Sequence, residues 1–194
     1  MNQQQFNQGF DATTYVEKLR NYRSFVRKLM DEAEANTDHV ARLRSALESY
    51  RNPVRATLMT EDWCGDSACN IPVLQDLLSQ AGVEFRILRG SEHPDLEKGY
   101  NDEGTDHIPV VSFWDAEWNE ITRWVEAPAA VAEKKSAWEQ EHPEFAELYQ
   151  KQDEDREAAK QFGRLYRQLL EEMADWYRKG MWDETTREIV ESLE

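Results

Sequence analysis

The stretch VRATLMTEDWCGDSACNIPVLQDLLSQAGVEFRILR, residues 54–89, limits the possible folds more than any other part of the chain. VRATLMT (54–60) has the length and apolar character of a buried strand. SACNIPVLQDLLSQAG reads as a helix stopped by Gly82, which can take the left-handed conformation that ends helices. VEFRILR (83–89) alternates as a second strand, and IPVVSFWD and EITRWVE read as two more joined by a turn around Ala116 to Asn119. Strand, helix, strand and then a hairpin predict a mixed sheet whose first connection crosses over.

Helical segments flank this unit. Asp11 or Thr13 can cap a helix running to about Ala35, with Tyr15, Leu19, Tyr22, Phe25, Val26, Leu29 and Met30 on one face. A second helix follows NTD (36–38) to about Tyr50, and residues 1–10 read as a loose tail. GSEHPDLEKGYNDEGTD is loop-rich, with room for one short helix. From Pro128 the chain reads as helical to its end. QKQDEDREAAK has almost no apolar face, so the helix there either continues exposed or breaks. The expected organisation is a helical extension over 1–50, an α/β core over 51–127 and a second helical extension over 128–194.

The formal charge is -16, from 23 basic and 39 acidic side chains. That argues against a nucleic-acid or anionic-membrane surface, which needs a basic footprint. The basic stretch KLRNYRSFVRKL reads as the solvated face of a helix. MNQQQFNQGF lacks the basic and apolar regions of a secretory signal, and no window approaches 18 apolar residues. Two cysteines are too few for a disulfide scaffold, so a cytoplasmic protein with reduced thiols is expected. His39, His93, His107 and His142 are scattered, and no metal site is expected. A Cys–His pair using His107 as base competes with a plain surface reading of that loop histidine.

Both cysteines, Cys64 and Cys69, lie just after the first strand. On a helix, Cα atoms five apart are about 9 Å from each other and roughly 140° around the axis. A disulfide needs about 7 Å or less, so the pair cannot close without unwinding the first turn. Atoms three apart are about 5 Å from each other, which puts Ser67 under the Cys64 sulfur, where its hydroxyl can donate to a thiolate. A thiol at a helix N-terminus meets unpaired N–H groups and the positive end of the dipole, which lower its pKa. The carboxylates of Glu61, Asp62 and Asp66 oppose this, so a moderate depression is expected at Cys64. Gly65 lets a partner backbone approach closely. Cys69 falls on the inward side as a small core residue.

WCGDSACNIP resembles the W-C-G-P-C-x-x-x-x-P stretch of the thioredoxin family, with Trp63, Cys64, Gly65 and Pro72 in matching places. HIPVVSF resembles the segment holding the family's cis-proline, which makes Pro109 the cis residue, 45 positions after Cys64. The resemblance covers about residues 51–127. TEDWCGD after a helical extension is similar to a bacterial branch of thioredoxin-like proteins. It implies a thioredoxin-like α/β/α sandwich with a mixed central sheet. Three departures matter: the motif proline is Asp66, the resolving cysteine is Ser67, and the buried aspartate six residues before the first cysteine is Leu58.

The resemblance implies Cys64 as nucleophile, assisted by Ser67, with Trp63, Gly65, Asp66, Ile108 and Pro109 forming the substrate cleft. Three functions compete. The first is a monothiol thiol–disulfide oxidoreductase acting on protein disulfides or mixed disulfides, with no bound cofactor and a small thiol as co-substrate. The second is a redox-inactive binding module for a protein partner. The third is a transferase that activates a small-thiol cofactor. The helical flanks can pack on the sheet, cap the cleft or form a homodimer.

Overall fold

A computed structural model describes residues 1–194. Ten α-helices and four strands follow in the order α1 (Gln3–Gln8), α2 (Ala12–Lys18), α3 (Arg23–Met30), α4 (Thr37–Leu47), β1 (Arg55–Thr60), α5 (Gly65–Ala81), β2 (Glu84–Arg89), α6 (Pro94–Asp102), β3 (Val110–Trp114), β4 (Glu120–Val125), α7 (Ala129–Glu141), α8 (Glu144–Lys151), α9 (Arg156–Trp176) and α10 (Trp182–Glu191). They form two compact units: Met1–Ala127 with Trp182–Glu194, and Pro128–Met181. No helix is long and apolar enough to cross a membrane.

The first unit is built on a sheet of order β2-β1-β3-β4. β1 runs parallel to β2 and antiparallel to β3, which continues as the β3–β4 hairpin. The mixed sheet and its crossover therefore follow the hydrophobic pattern. Register sorts the side chains into two layers. Leu58 sits between Ile87 and Val111, all fully buried, on the face where Thr60 reaches Ser67 of α5. Met59, Leu88 and Val110 share the other face with Tyr100 and Leu96 of α6. Tyr100 also hydrogen-bonds Ser112 of β3 at 2.8 Å. The sheet is thus covered on both sides, as in an α/β/α sandwich.

α5 supplies Leu74, Leu77 and Leu78 to the core, each fully buried and each contributing about 1.5–3 kcal/mol by burial. Gly82 ends it at φ 77°, a conformation that favours glycine. α3, α4 and α10 pack beside it.

The N-terminus differs from expectation. Residues 1–10 are not a loose tail: Asn2 caps α1, and Phe6 is fully buried. Phe10 pairs with Ile87 through two backbone hydrogen bonds of 2.9 and 2.8 Å, covering the free edge of β2. Gly9 allows this approach, since a Cβ there would lie 2.8 Å from the Arg86 Cβ. Two apolar rings in a polar decapeptide anchor the segment, although no periodic pattern marks it. Asp11 does cap α2, accepting from Thr14 at 2.8 Å. The helix expected to run to Ala35 breaks at 19–22, where Tyr22 takes φ 57°. The apolar steps continue across the break because both α2 and α3 bury one face.

In the second unit, the stretch without an apolar face breaks the helix. Asp155 restarts it by capping α9, accepting from the Glu157 N–H at 2.8 Å. Phe145 joins rings from both sides of the break, with Trp138 edge-on at 5.3 Å and Phe162 at 5.2 Å.

Candidate functional site

α5 begins at Gly65, two residues earlier than the sequence pattern suggests, which makes Cys64 its N-cap. The Cys64 sulfur accepts from the Ser67 N–H at 3.5 Å, the bond a capping side chain makes. On another side the thiol donates to the Ile108 carbonyl at 3.5 Å. The Ile108–Pro109 bond is cis. Cys64 with Ser67 thus meets Ile108 with Pro109, Ile108 lying 44 positions after Cys64 along the chain. Gly65 opens the helix, Asp66 lies in its first turn and Trp63 stands outside, 60% exposed.

Ser67 is buried and its hydroxyl shares a short hydrogen bond with Thr60 at the end of β1. Its backbone N–H is the group that donates to Cys64. Cys69 is fully buried, and both cysteines are free thiols. Trp182 of α10 donates to the Cys69 carbonyl at 2.9 Å, and Thr185 donates to Asn70 Oδ1 at 2.8 Å. The C-terminal helix thereby holds the turn of α5 that follows the motif.

The electrostatics correct one expectation. Burial pushes the Cys64 thiol above its ordinary range, and the charge of Asp66 adds to this. Hydrogen bonds from Ser67 pull downward without reversing it. The helix terminus favours a depressed value, but Cys64 is only 6% exposed, and desolvation of the thiolate dominates. Site-resolved alkylation of Cys64 should therefore be slow at neutral pH and still be rising above about pH 9, past the ordinary thiol range. The sign for stability follows: the folded state prefers the neutral thiol, so this contribution is full below the unfolded-state value of about 8.5 and is lost as pH rises through the folded value. Unfolding midpoints of wild type and Cys64→Ala should converge in that alkaline range.

Beside Cys64 lie three groups that the motif does not announce. Asp62 is buried and pairs with Arg89 at 2.7 Å. Its other oxygen accepts from the Arg20 N–H at 3.2 Å. Tyr15 of α2, 1% exposed, lies beneath. Asp62 could have been suspected from its place two residues before Cys64. Tyr15 carried no local signal, since an aromatic on an apolar helix face reads as core. His107 stands outside, exposed and bonded to Asp106 at 2.6 Å.

A mixed four-stranded sheet, with a cysteine capping the helix after its first strand and a cis-proline opposite, defines a thioredoxin-like α/β protein. A family model described as Thioredoxin matches residues 9–139, and the chain belongs to that family. The match begins well before residue 51, so it includes α2–α4. No curated protein matches. Among solved structures, the chain is similar to a protein of unknown function from Pseudomonas aeruginosa, at 22% identity and TM-score 0.54, covering 66% of this chain and 78% of that one. It is also similar to an HIV epitope-scaffold, at 24% identity and TM-score 0.53, covering 66% of this chain and 79% of the other. These likenesses concern the fold.

Proposed function

We propose that the protein is a monothiol thiol–disulfide exchange protein acting through Cys64. The observation that supports this most is the placement of the Cys64 sulfur, capping α5 and 3.5 Å from the carbonyl before cis-Pro109. A thiolate there is aimed at a substrate lying along the Ile108–Pro109 segment. Cys64 first loses its proton to solvent base. The thiolate attacks one sulfur of a protein disulfide, or of a mixed disulfide with a small thiol. A Cys64–substrate disulfide forms, and the displaced sulfur leaves as thiolate with the bond's electron pair. An external thiolate then attacks the substrate sulfur of that adduct and releases Cys64 as thiolate. Ser67 supplies hydrogen bonds but no resolving thiol, and Cys69 is buried, so the second thiol comes from outside. Such a cycle suits a reducing compartment such as the cytoplasm.

A second reading is a redox-inactive module that holds a protein partner at the same cleft. The burial of Cys64, with its thiol above the ordinary range, favours it.

The two are separated by reduction of a glutathionylated peptide with glutathione as the external thiol. The exchange reading predicts catalysis by wild type and by Cys69→Ser, and the uncatalysed rate with Cys64→Ser. A wild-type rate no higher than the uncatalysed one favours the binding module.

A further inference from the structure

A small space of about 10 Å³ adjoins Cys64, lined among others by Tyr15, Tyr22, Glu61, Asp62 and Ser67. That is the room one water needs, provided polar partners surround it. Tyr15, one of the lining residues, carries a polar group. Its hydroxyl is buried and close enough to the Asp62 carboxylate to feel its charge, yet it makes no well-formed hydrogen bond in the structure. An orphaned buried hydroxyl costs about 1–3 kcal/mol, more than a Phe would at the same place.

The surroundings of the sulfur show what is missing. The Ile108 carbonyl accepts from the thiol, which suits Cys64 only while it is protonated. Once the sulfur is a thiolate, that oxygen presents a lone pair to a negative charge. Ser67 donates from the helix side. Other neighbouring charges oppose a thiolate: Asp66 on α5 itself, and Glu61 and Asp62 before it. Arg89 is committed to Asp62, and Arg20 lies on its far oxygen. A further neutral donor that does not itself ionise is the group this site calls for. Burial, and then the charge of Asp62, keep the Tyr15 phenol protonated.

We propose that Tyr15 is a working part of the Cys64 site: through one water in this space, its hydroxyl donates to the Cys64 sulfur when the sulfur is a thiolate. In the resolving step the S–S electron pair passes to Cys64, and this chain receives the charge without transferring a proton. The inference rests on the exchange reading above, because it gives the thiolate a part in the cycle.

The test is the pH profile of Cys64 alkylation in wild type and Tyr15→Phe, resolved by peptide mass spectrometry with Cys69 as internal control. The substitution removes one unpartnered oxygen and keeps the ring, so the fold is retained. At a fixed pH near neutrality the Cys64 rate in Tyr15→Phe should fall roughly threefold to tenfold, with the profile displaced to higher pH. An unchanged profile, with unchanged or raised stability, overturns the proposal and leaves Tyr15 as core. A shifted profile in a protein that shows no exchange with glutathionylated peptide overturns the exchange reading while keeping the Tyr15–Cys64 coupling.

Discussion

Replacing Arg89 by Leu should destabilise the protein by about 3–5 kcal/mol, read as a lowered denaturant midpoint at unchanged slope. Arg89 and Asp62 are both buried and joined at 2.7 Å. Arg89 also donates to the Lys18 carbonyl and to Glu92, and lies over the rings of Phe10 and Tyr15. Removing it leaves the buried Asp62 carboxylate with only the Arg20 backbone N–H at 3.2 Å and the exposed Arg20 guanidinium at 3.8 Å, and loosens the N-terminal segment from β2. The cost comes from the stranded charge more than from loss of the pair. The double variant Arg89→Leu with Asp62→Asn should therefore recover a large part of the stability. A single variant as stable as wild type would contradict this account of the ion pair.

Leu58→Asp should cost at least about 4 kcal/mol. Deleting a fully buried leucine alone costs about 2–5 kcal/mol, and an unpaired carboxyl adds a desolvation penalty. Leu58 stands where the family resemblance places a buried aspartate, yet Ile87 and Val111 flank it without a polar partner. The substitution should also bring no dithiol activity, because the residue three after Cys64 remains Ser67. Thermal unfolding and a disulfide-reduction assay check the two halves. A stable Leu58→Asp protein would mean that this layer tolerates a carboxyl and that the leucine is not a core residue.

The crossover and the hairpin were legible in sequence because each strand is a short apolar run bounded by turn residues. The meeting of Cys64 with Ile108 was legible through the motif resemblance. The N-terminal anchor was not, since Phe6 and Phe10 act singly and their partners lie far along the chain, in β2. The break at Tyr22 was hidden because apolar spacing persists across it. Arg89 reads as the polar end of an alternating strand, and only the fold shows it buried against Asp62. The Cys64 thiol was misjudged for a related reason. A helix terminus can be read from sequence, but the burial that outweighs it depends on Tyr15, Leu19 and Val26 closing around the space beside Cys64.

The proposed exchange requires that Cys64 alone form a mixed disulfide. Intact-mass and peptide-mapping spectrometry after incubation of the native protein with oxidised glutathione tests it most directly. A single glutathione adduct on Cys64, none on Cys69, and removal of the adduct by added glutathione are expected. An unmodified Cys64 under conditions that modify free cysteine, or an intramolecular Cys64–Cys69 disulfide, would contradict it.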